Sequence, residues 1–463
     1  MKKMKHDLSL RIVKLLPILL TSVPFAMCWY IFFDDTIMSP FFNRGNWMVI
    51  GLFVVLYVFF ARIYDAFLIS VNRISEIAYS QCLSVLVSDA IMFVVLWLLN
   101  HNFPNILPCL ATLAVQGVLV ILWSFAAHKW YFKSFPPAKT AVIHDNRYPV
   151  ETLLREYGHE KKFDVQKWIS EEDCAERLSE LDDCDVVFVC GISSHERNTI
   201  LKYCMEHGIR VYVLPRIGDI IMSAAKTMHM FHLPMLRVDR WNPHPEYKLF
   251  KRLFDIVSSF LVLLLASPVM IVTAIAIKVT DGGPVFYKQD RLTKDGRVFK
   301  VLKFRSMRVD AEKDGVARLS TGNKDDRITP VGRIIRKVRI DELPQLLNIL
   351  GGSMSVVGPR PERPEIAKQY EEELPEFRLR LQTKAGLTGY AQVYGKYNTT
   401  PYDKLQMDLM YIAKPSFLED LKIIFATVKI LFIPESTDGI AEGQTTAAAK
   451  PEAGKEPVGA GKG

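Results

Sequence analysis

Four apolar runs crowd into the first 127 residues, at about Leu10–Phe33, Trp47–Tyr64, Cys82–Leu99 and Ile106–Ala127. Each is near the roughly 20 residues that a helix needs to cross a hydrocarbon core. Lipid offers no partner for backbone amides, so such runs are restricted to helices. The first run lacks a small-residue cleavage site and three like it follow, which argues against a removable signal peptide. Lys and Arg gather at the N-terminus (Lys2, Lys3, Lys5), in the second loop (Arg62, Arg73) and after the fourth run (Lys129, Lys133, Lys139). Both ends of the bundle are therefore expected on the cytoplasmic side. Read as carrying no acid or base at mid-depth, the runs are expected to anchor the chain rather than conduct a solute.

The chain continues to residue 463, room for two or three domains. With 49% hydrophobic and 23% charged residues, it is too apolar for a disordered protein. The seven cysteines form no C-x-x-C pair, so neither a zinc site nor a redox motif is indicated, and a reducing compartment fits. All ten histidines lie at or before His244. Any enzyme built from the later residues must work without imidazole or thiol, through carboxylates, Lys, Arg, hydroxyls or a metal.

Residues 139–232 alternate short strands with helices. Ala141–Ile143 and Asp185–Cys190 read as strands, Ser193-x-x-Glu196 as a capping box opening a helix to about Glu206, and Arg210–Leu214 as the next strand. The G-x-G-x-x-G fingerprint is missing, so a Rossmann-like module without a dinucleotide is expected.

Residues 256–277 are 22 uncharged, mostly apolar positions. A straight helix of that length would span a bilayer. Ser267-Pro268 at the centre predicts a kink, and bases flank both ends: Lys251 and Arg252 before, Lys278 and Lys288 after. A helix that enters, bends and returns satisfies both facts. The segment 417–432 has helical apolar spacing and fits an interfacial or a core helix equally.

Residues 291–340 hold fifteen Lys or Arg against six Asp or Glu, a surplus larger than the +8 of the whole chain. Such a patch suits phosphate groups, on lipids or on a substrate. No nucleic-acid-binding motif accompanies it. Asp341-Glu342 follows immediately, and the neighbouring Arg336 and Arg339 are expected to keep the aspartate ionised, hence nucleophilic or metal-binding. Pro359-Arg360-Pro361 is a rigid turn that can aim a guanidinium, or a purely structural one.

Residues 248–432 resemble the bacterial sugar transferase family, the monotopic phosphoglycosyl transferases. The likeness is carried by KLFKRLFDIV (248–257), GGPVFYKQDRL (282–292), KFRSM (303–307), RIDELPQLLNIL (339–350), SVVGPRPE (355–362), AGLTGYAQVYGK (385–396), DLMYI (408–412) and DLKII (420–424). The resemblance implies transfer of a sugar 1-phosphate from a UDP-sugar to undecaprenyl phosphate, releasing UMP and starting a surface glycan such as exopolysaccharide, capsule or O-antigen. Asp341 would attack the β-phosphate and form a phosphosugar-aspartyl intermediate. Glu342 would act as base or orient acceptor and metal, with Mg2+ bound at Asp341. Lys303, Arg305, Arg336, Arg360, Lys396 and Asp420 would contact phosphate or line the site, and Ser267-Pro268 would break the re-entrant helix. Two departures stand out: Ala385 where the family has proline, expected to loosen a turn, and Lys396 where it has arginine, which loses the bidentate fork.

The expected architecture is a membrane α/β protein: four transmembrane helices (1–130), a Rossmann-like cytoplasmic domain (131–245), and an α-rich interfacial catalytic domain (246–433) with a re-entrant helix at about 253–279. A disordered tail (434–463) follows. The expected setting is the bacterial inner membrane, with the catalytic domain on the cytoplasmic face, membrane lipids and a second copy as partners, and no nucleic acid. The donor is expected to be UDP-glucose or UDP-galactose, with a UDP-acetamido sugar as the alternative. A non-catalytic scaffold or sensor, and a polyprenol-linked glycosyltransferase that would release a nucleoside diphosphate, are the competing functions.

Overall fold

A computed structural model describes residues 2–37, 44–100, 102–144, 161–174, 176–241, 243–308, 327–395 and 399–431. The tail expected to be disordered and Lys396 lie outside them. Contacts divide the chain into two units, Met1–Leu214 and Pro215–Gly463.

The first unit opens with four long helices, α1 (Lys2–Phe32), α2 (Arg44–Ile63), α3 (Ile74–Asn100) and α4 (Ile106–Ser134). All four are long and apolar enough to cross a membrane. Their inner faces pack Trp29, Phe53, Tyr57, Val85, Met92 and Val120. Apolar contact does not discriminate between helix pairs in lipid, whereas paired polar groups do. Here Tyr57 Oη donates to Gln81 Oε1, and Gln81 Nε2 donates to Ala66 O at 3.1 Å. Gln116 Nε2 ties α4 to Thr21 O of α1 at 2.8 Å. One acid does sit inside the bundle: Asp89 on α3 lines a small cavity with Cys28, Cys109 and Thr112. The reading of the runs as free of mid-depth acids is thus corrected: Asp89 lies within the third of them.

The same unit carries four parallel strands in the order β2-β1-β3-β4: β1 (Ala138–His144), β2 (Phe163–Ser170), β3 (Val186–Cys190) and β4 (Arg210–Val213). Helix α5 (Ser194–Glu206) joins β3 to β4, its first turn capped by Ser193 Oγ accepting from Glu196 N at 3.3 Å. Strand β2 is hard to see in the sequence because Lys167 falls on its more buried side and Trp168 on its exposed side, which breaks the apolar–polar alternation.

Residues 215–244 pack with the second unit rather than with the strands before them. Helix α6 (Ile217–Ser223) inserts Ile217 and Ile220 into a core with Val357, Tyr370, Leu405 and Ile423. An antiparallel hairpin follows, β5 (Lys226–Met230) and β6 (Leu233–Arg237). Then comes α7 (Pro245–Asp281), started by proline at its first position and stopped by Gly282 at φ 68°.

Helix α7 is a single helix, with Pro268 inside it. Proline cannot donate to the carbonyl of Leu264, and Ser267 Oγ donates to that oxygen instead at 2.7 Å. Both ends of α7 dock on the same unit. Near its start Lys251 Nζ pairs with Asp420 Oδ2 at 2.9 Å, and Arg252 donates to Ile349 O and Leu350 O at 2.7 and 2.8 Å. Asp255 accepts from Ser355 Oγ at 3.1 Å and Val356 N at 3.0 Å. Near its end Ile277 packs with Phe304 and Ile335. Between them, apolar side chains face outward, Leu265 at 80% and Val272 at 67% exposure.

The rest of the unit comprises the hairpin β7 (Phe286–Leu292) and β8 (Val298–Phe304), α8 (Pro330–Lys337), α9 (Gln345–Leu350), β9 (Ser355–Val357), α10 (Pro364–Glu373), β10 (Gly386–Thr388), α11 (Tyr390–Tyr394), α12 (Pro401–Ala413) and α13 (Phe417–Leu431). Of the two readings of the last segment, the core helix is the one found: Ile423 of α13 is fully buried against Val357 and Leu409.

Candidate active site

Three short pieces of chain bring the predicted carboxylates and bases together. Strand β8 buries Val301 and Phe304 on opposite faces, in two different apolar clusters, and Lys303 shares the face of Val301. Asn348 on α9 continues the ladder of β8 with its side chain, accepting from Leu302 N and donating to Lys300 O, both at 2.9 Å. Lys303 is thereby held in register with the turn that leads into α9. Its Nζ lies 2.8 Å from Glu342 Oε1.

The carboxylates follow α8. Thr329 caps that helix by accepting from Gly332 N at 2.9 Å. Gly332 is required by contact: a Cβ there would stand 1.9 Å from Ser306 O. After Lys337 the chain reverses through Arg339 at φ 55°, a left-handed conformation that costs a non-glycine residue about 1 kcal/mol. The reversal turns residues 340–342 into a single 3-10 turn bearing Asp341 and Glu342.

The two neighbours have opposite electrostatics. Glu342 meets Lys303 at 2.8 Å, Arg360 at 3.4 Å and Arg339 at 4.0 Å. Burial pushes its carboxyl up, but Lys303, Arg360 and Arg339 outweigh that and hold it well below the usual carboxylate range. Asp341 is pushed up to about 6 by burial and then by the charge of Glu342, with Lys303, Arg336 and Arg360 acting against both. The bases thus favour the ionised form of Glu342 more strongly than that of Asp341, whose carboxyl feels burial and the charge of its neighbour. Among the described residues no donor reaches the Asp341 carboxylate within hydrogen-bond distance.

Of the other predicted residues, Arg336 and Arg360 share this field. Arg305 is buried at the exit of α7, where a Cβ on Gly283 would stand 1.9 Å from its guanidinium. Asp420 is also buried, binding Lys251, Tyr247 Oη at 2.9 Å and Tyr411 Oη at 2.8 Å. Ser267 and Pro268 lie inside α7. Ala385 does not loosen its turn: its N–H, which a proline would lack, donates to Thr293 Oγ1 at 3.2 Å. Asn348 and the Arg380–Asp408 pair are site supports that the sequence reading passed over.

No group of three or more His, Cys, Asp or Glu able to hold a metal occurs among the described residues. A magnesium ion asks for less, commonly one or two carboxylates completed by substrate phosphates and water. The unengaged Asp341 carboxylate fits that demand, and Glu342 is already occupied by bases.

Asp341 thus stands in a field of Lys and Arg, in a unit that also carries an apolar helix long enough to cross a membrane. The model of the bacterial sugar transferase family matches residues 246–434. An Aeromonas hydrophila UDP-N-acetylgalactosamine-undecaprenyl-phosphate N-acetylgalactosaminephosphotransferase is 36% identical over 239 residues, 51% of this chain and 55% of that protein. An Escherichia coli K12 UDP-glucose:undecaprenyl-phosphate glucose-1-phosphate transferase is 40% identical over 212 residues, 45% of this chain and 44% of that protein. A Rhizobium leguminosarum exopolysaccharide production protein is 43% identical over 187 residues, 38% of this chain and 92% of that protein. The match spans about half the length of the first two relatives. The chain belongs to the bacterial sugar transferase family.

Proposed function

We propose that this protein transfers a sugar 1-phosphate from a UDP-sugar to undecaprenyl phosphate, releasing UMP. The observation that carries this reading is the contrast within the carboxylate pair: Asp341 without a hydrogen-bond partner, Glu342 saturated by bases.

Asp341 is the nucleophile. Its carboxylate oxygen bonds to the β-phosphorus of the donor as the bond from that phosphorus to the oxygen bridging the α-phosphate breaks. UMP leaves with both electrons of that bond. A phosphate oxygen of the lipid acceptor then attacks the same phosphorus, the acyl-phosphate bond breaks, and Asp341 is restored. Lys303, Arg336 and Arg360 balance the charge on the phosphate oxygens. Glu342 is too weak a base to take a proton efficiently, and its role is to hold Lys303 and Arg360. Magnesium, when bound at Asp341, would neutralise phosphate charge.

Helix α7 is read as re-entrant, bending at Ser267-Pro268. In its support, both ends bind one unit while the middle exposes apolar side chains. The inner membrane and its cytoplasmic face follow from the basic flanks of the apolar runs. Relatives of similar identity carry different sugars in their names, glucose and N-acetylgalactosamine, so the donor is proposed as a UDP-hexose, glucose or galactose before acetamido sugars.

The test is membrane-embedded protein with magnesium, undecaprenyl phosphate and each UDP-sugar in turn. UMP release with one donor, reduced at least about 10^3-fold by Asp341→Asn, is the expected result. Release of UDP, or an Asp341→Asn protein as active as the parent, would overturn it.

A further inference from the structure

The segment bearing Arg360 is held along its whole backbone. Val357 O accepts from Tyr411 Oη at 3.3 Å, Gly358 N donates to Thr388 O at 2.8 Å, and Pro359 O accepts from Gly386 N at 2.9 Å. Arg360 O accepts from Arg380 Nη2 at 2.9 Å, and Pro361 O from Arg291 Nη1 at 3.0 Å. Glu362 O accepts from Leu292 N at 3.0 Å. Two of these six anchors are guanidinium groups, and they hold the two successive carbonyls of Arg360 and Pro361.

Arg380 is only 3% exposed. Its Nε and Nη2 lie 2.8 and 2.7 Å from Asp408 Oδ2, and its Nη1 lies 3.6 Å from Glu362 Oε1. Its guanidinium also stands 4.9 Å from the Phe377 ring. A buried ion pair is weak evidence of stability, since well-packed apolar residues of similar volume often do as well. What an apolar pair could not do is reach the Arg360 carbonyl. Lysine could not replace it either, because one ammonium cannot span Asp408, Glu362 and that carbonyl as the planar fork does.

We infer that Arg380, oriented by Asp408, is a positioning residue that fixes where the Arg360 guanidinium stands against the Asp341-Glu342 turn. Arg291 does the same from the next carbonyl. The inference rests on the proposed phosphate transfer for its functional meaning; the clamp itself is a statement about the backbone. The Arg360 side chain is 45% exposed and meets Glu342 at 3.4 Å, and where its guanidinium can stand depends also on where its backbone is seated. A displacement on the order of 1 Å at a site of this kind costs about 10^2-fold in rate.

The test is a double-mutant cycle on the full chain in nanodiscs, reading UMP release and hydrogen exchange at Gly358, Arg360 and Glu362. Arg380→Met is expected to lower kcat/KM about 10- to 100-fold, with Arg380→Lys failing to restore it. Arg360→Met combined with Arg380→Met is expected to fall no further than Arg360→Met alone, within about twofold, because the second change acts only through the first. A merely structural role would instead multiply the two losses, which overturns the inference. So does an Arg380→Met protein within about twofold of the parent. If Arg380→Met does not fold, Arg291→Met carries the same cycle. Exchange at the three amides is expected to quicken in the clamp variants whatever their activity, and unchanged exchange overturns the clamp. A parent protein that releases no UMP from any donor removes the proposed reaction and leaves the exchange result to judge the clamp.

Discussion

Replacing Gly386 by alanine tests how tightly the Arg360 segment is seated. A Cβ at that position would stand 2.1 Å from Gly358 N, 2.5 Å from Gly358 O and 2.6 Å from Gly358 Cα. All three are backbone atoms, so no side chain can swing aside, and the strands must part by about 1 Å to restore van der Waals contact. Two hydrogen bonds close that contact, Gly386 N to Pro359 O at 2.9 Å and Gly358 N to Thr388 O at 2.8 Å. Losing both at about 1 kcal/mol each, with overpacking strain of about 1–3 kcal/mol, gives a destabilisation of about 3–5 kcal/mol. For a unit of this size that is a fall of about 6–20 °C in melting temperature. Gly218→Ala is the matched control, since nothing lies within 4 Å of its Cβ and it sits on α6 of the same unit. There the lower entropy of alanine is expected to stabilise by about 0.5–1 kcal/mol. Thermal unfolding in detergent, followed by tryptophan fluorescence, reads both. A Gly386→Ala protein that melts with the parent would refute the claim that backbone contact seats this segment.

Three further outcomes are expected. Lys251→Met strands the buried Asp420 charge and should destabilise by about 3–5 kcal/mol, whereas Arg237→Ala, at an exposed pair, should move the same unfolding curve by less than about 0.5 kcal/mol. With the seven native cysteines replaced, Lys248→Cys and Lys288→Cys should be modified from the same side of sealed vesicles; labelling from opposite sides would make α7 a spanning helix. Gln81→Leu leaves Tyr57 and the Ala66 carbonyl of the helical bundle without their partner, and unfolding should detect a loss of about 1–3 kcal/mol.

What the sequence makes legible here is whatever is written locally. The four apolar runs, the apolar middle of α7 with its Ser267-Pro268, and the Asp341-Glu342 pair within its basic window can each be read within a short stretch. Pairings across the chain cannot. Arg380 and Asp408 sit 28 positions apart, and although DLMYI (408–412) carries part of the family resemblance, only folding makes the two a buried pair. Asp420 was placed at the site by its motif, yet its carboxylate is taken by Lys251, Tyr247 and Tyr411. The rise of the Asp341 carboxyl to about 6 is hidden for a related reason: counting nearby bases captures their attraction and misses burial and the adjacent Glu342.

The lock at the start of α7 has a consequence in time. Arg252 reaches carbonyls 97 and 98 residues later, Asp255 reaches Ser355 after 100, and Lys251 meets Asp420 only after 169. On a growing chain the helix is finished while its acceptors do not yet exist. Until they arrive, Lys251, Arg252 and Asp255 have only water to satisfy them, which favours keeping that end of the helix at the aqueous boundary while the apolar remainder enters lipid. Helix α13, the last among the described residues, then brings Asp420 to Lys251 and completes a polar junction begun by a helix far earlier in the chain. A chain stopped before residue 420 would keep its apolar helix and lose the latch that joins it to the rest of the unit.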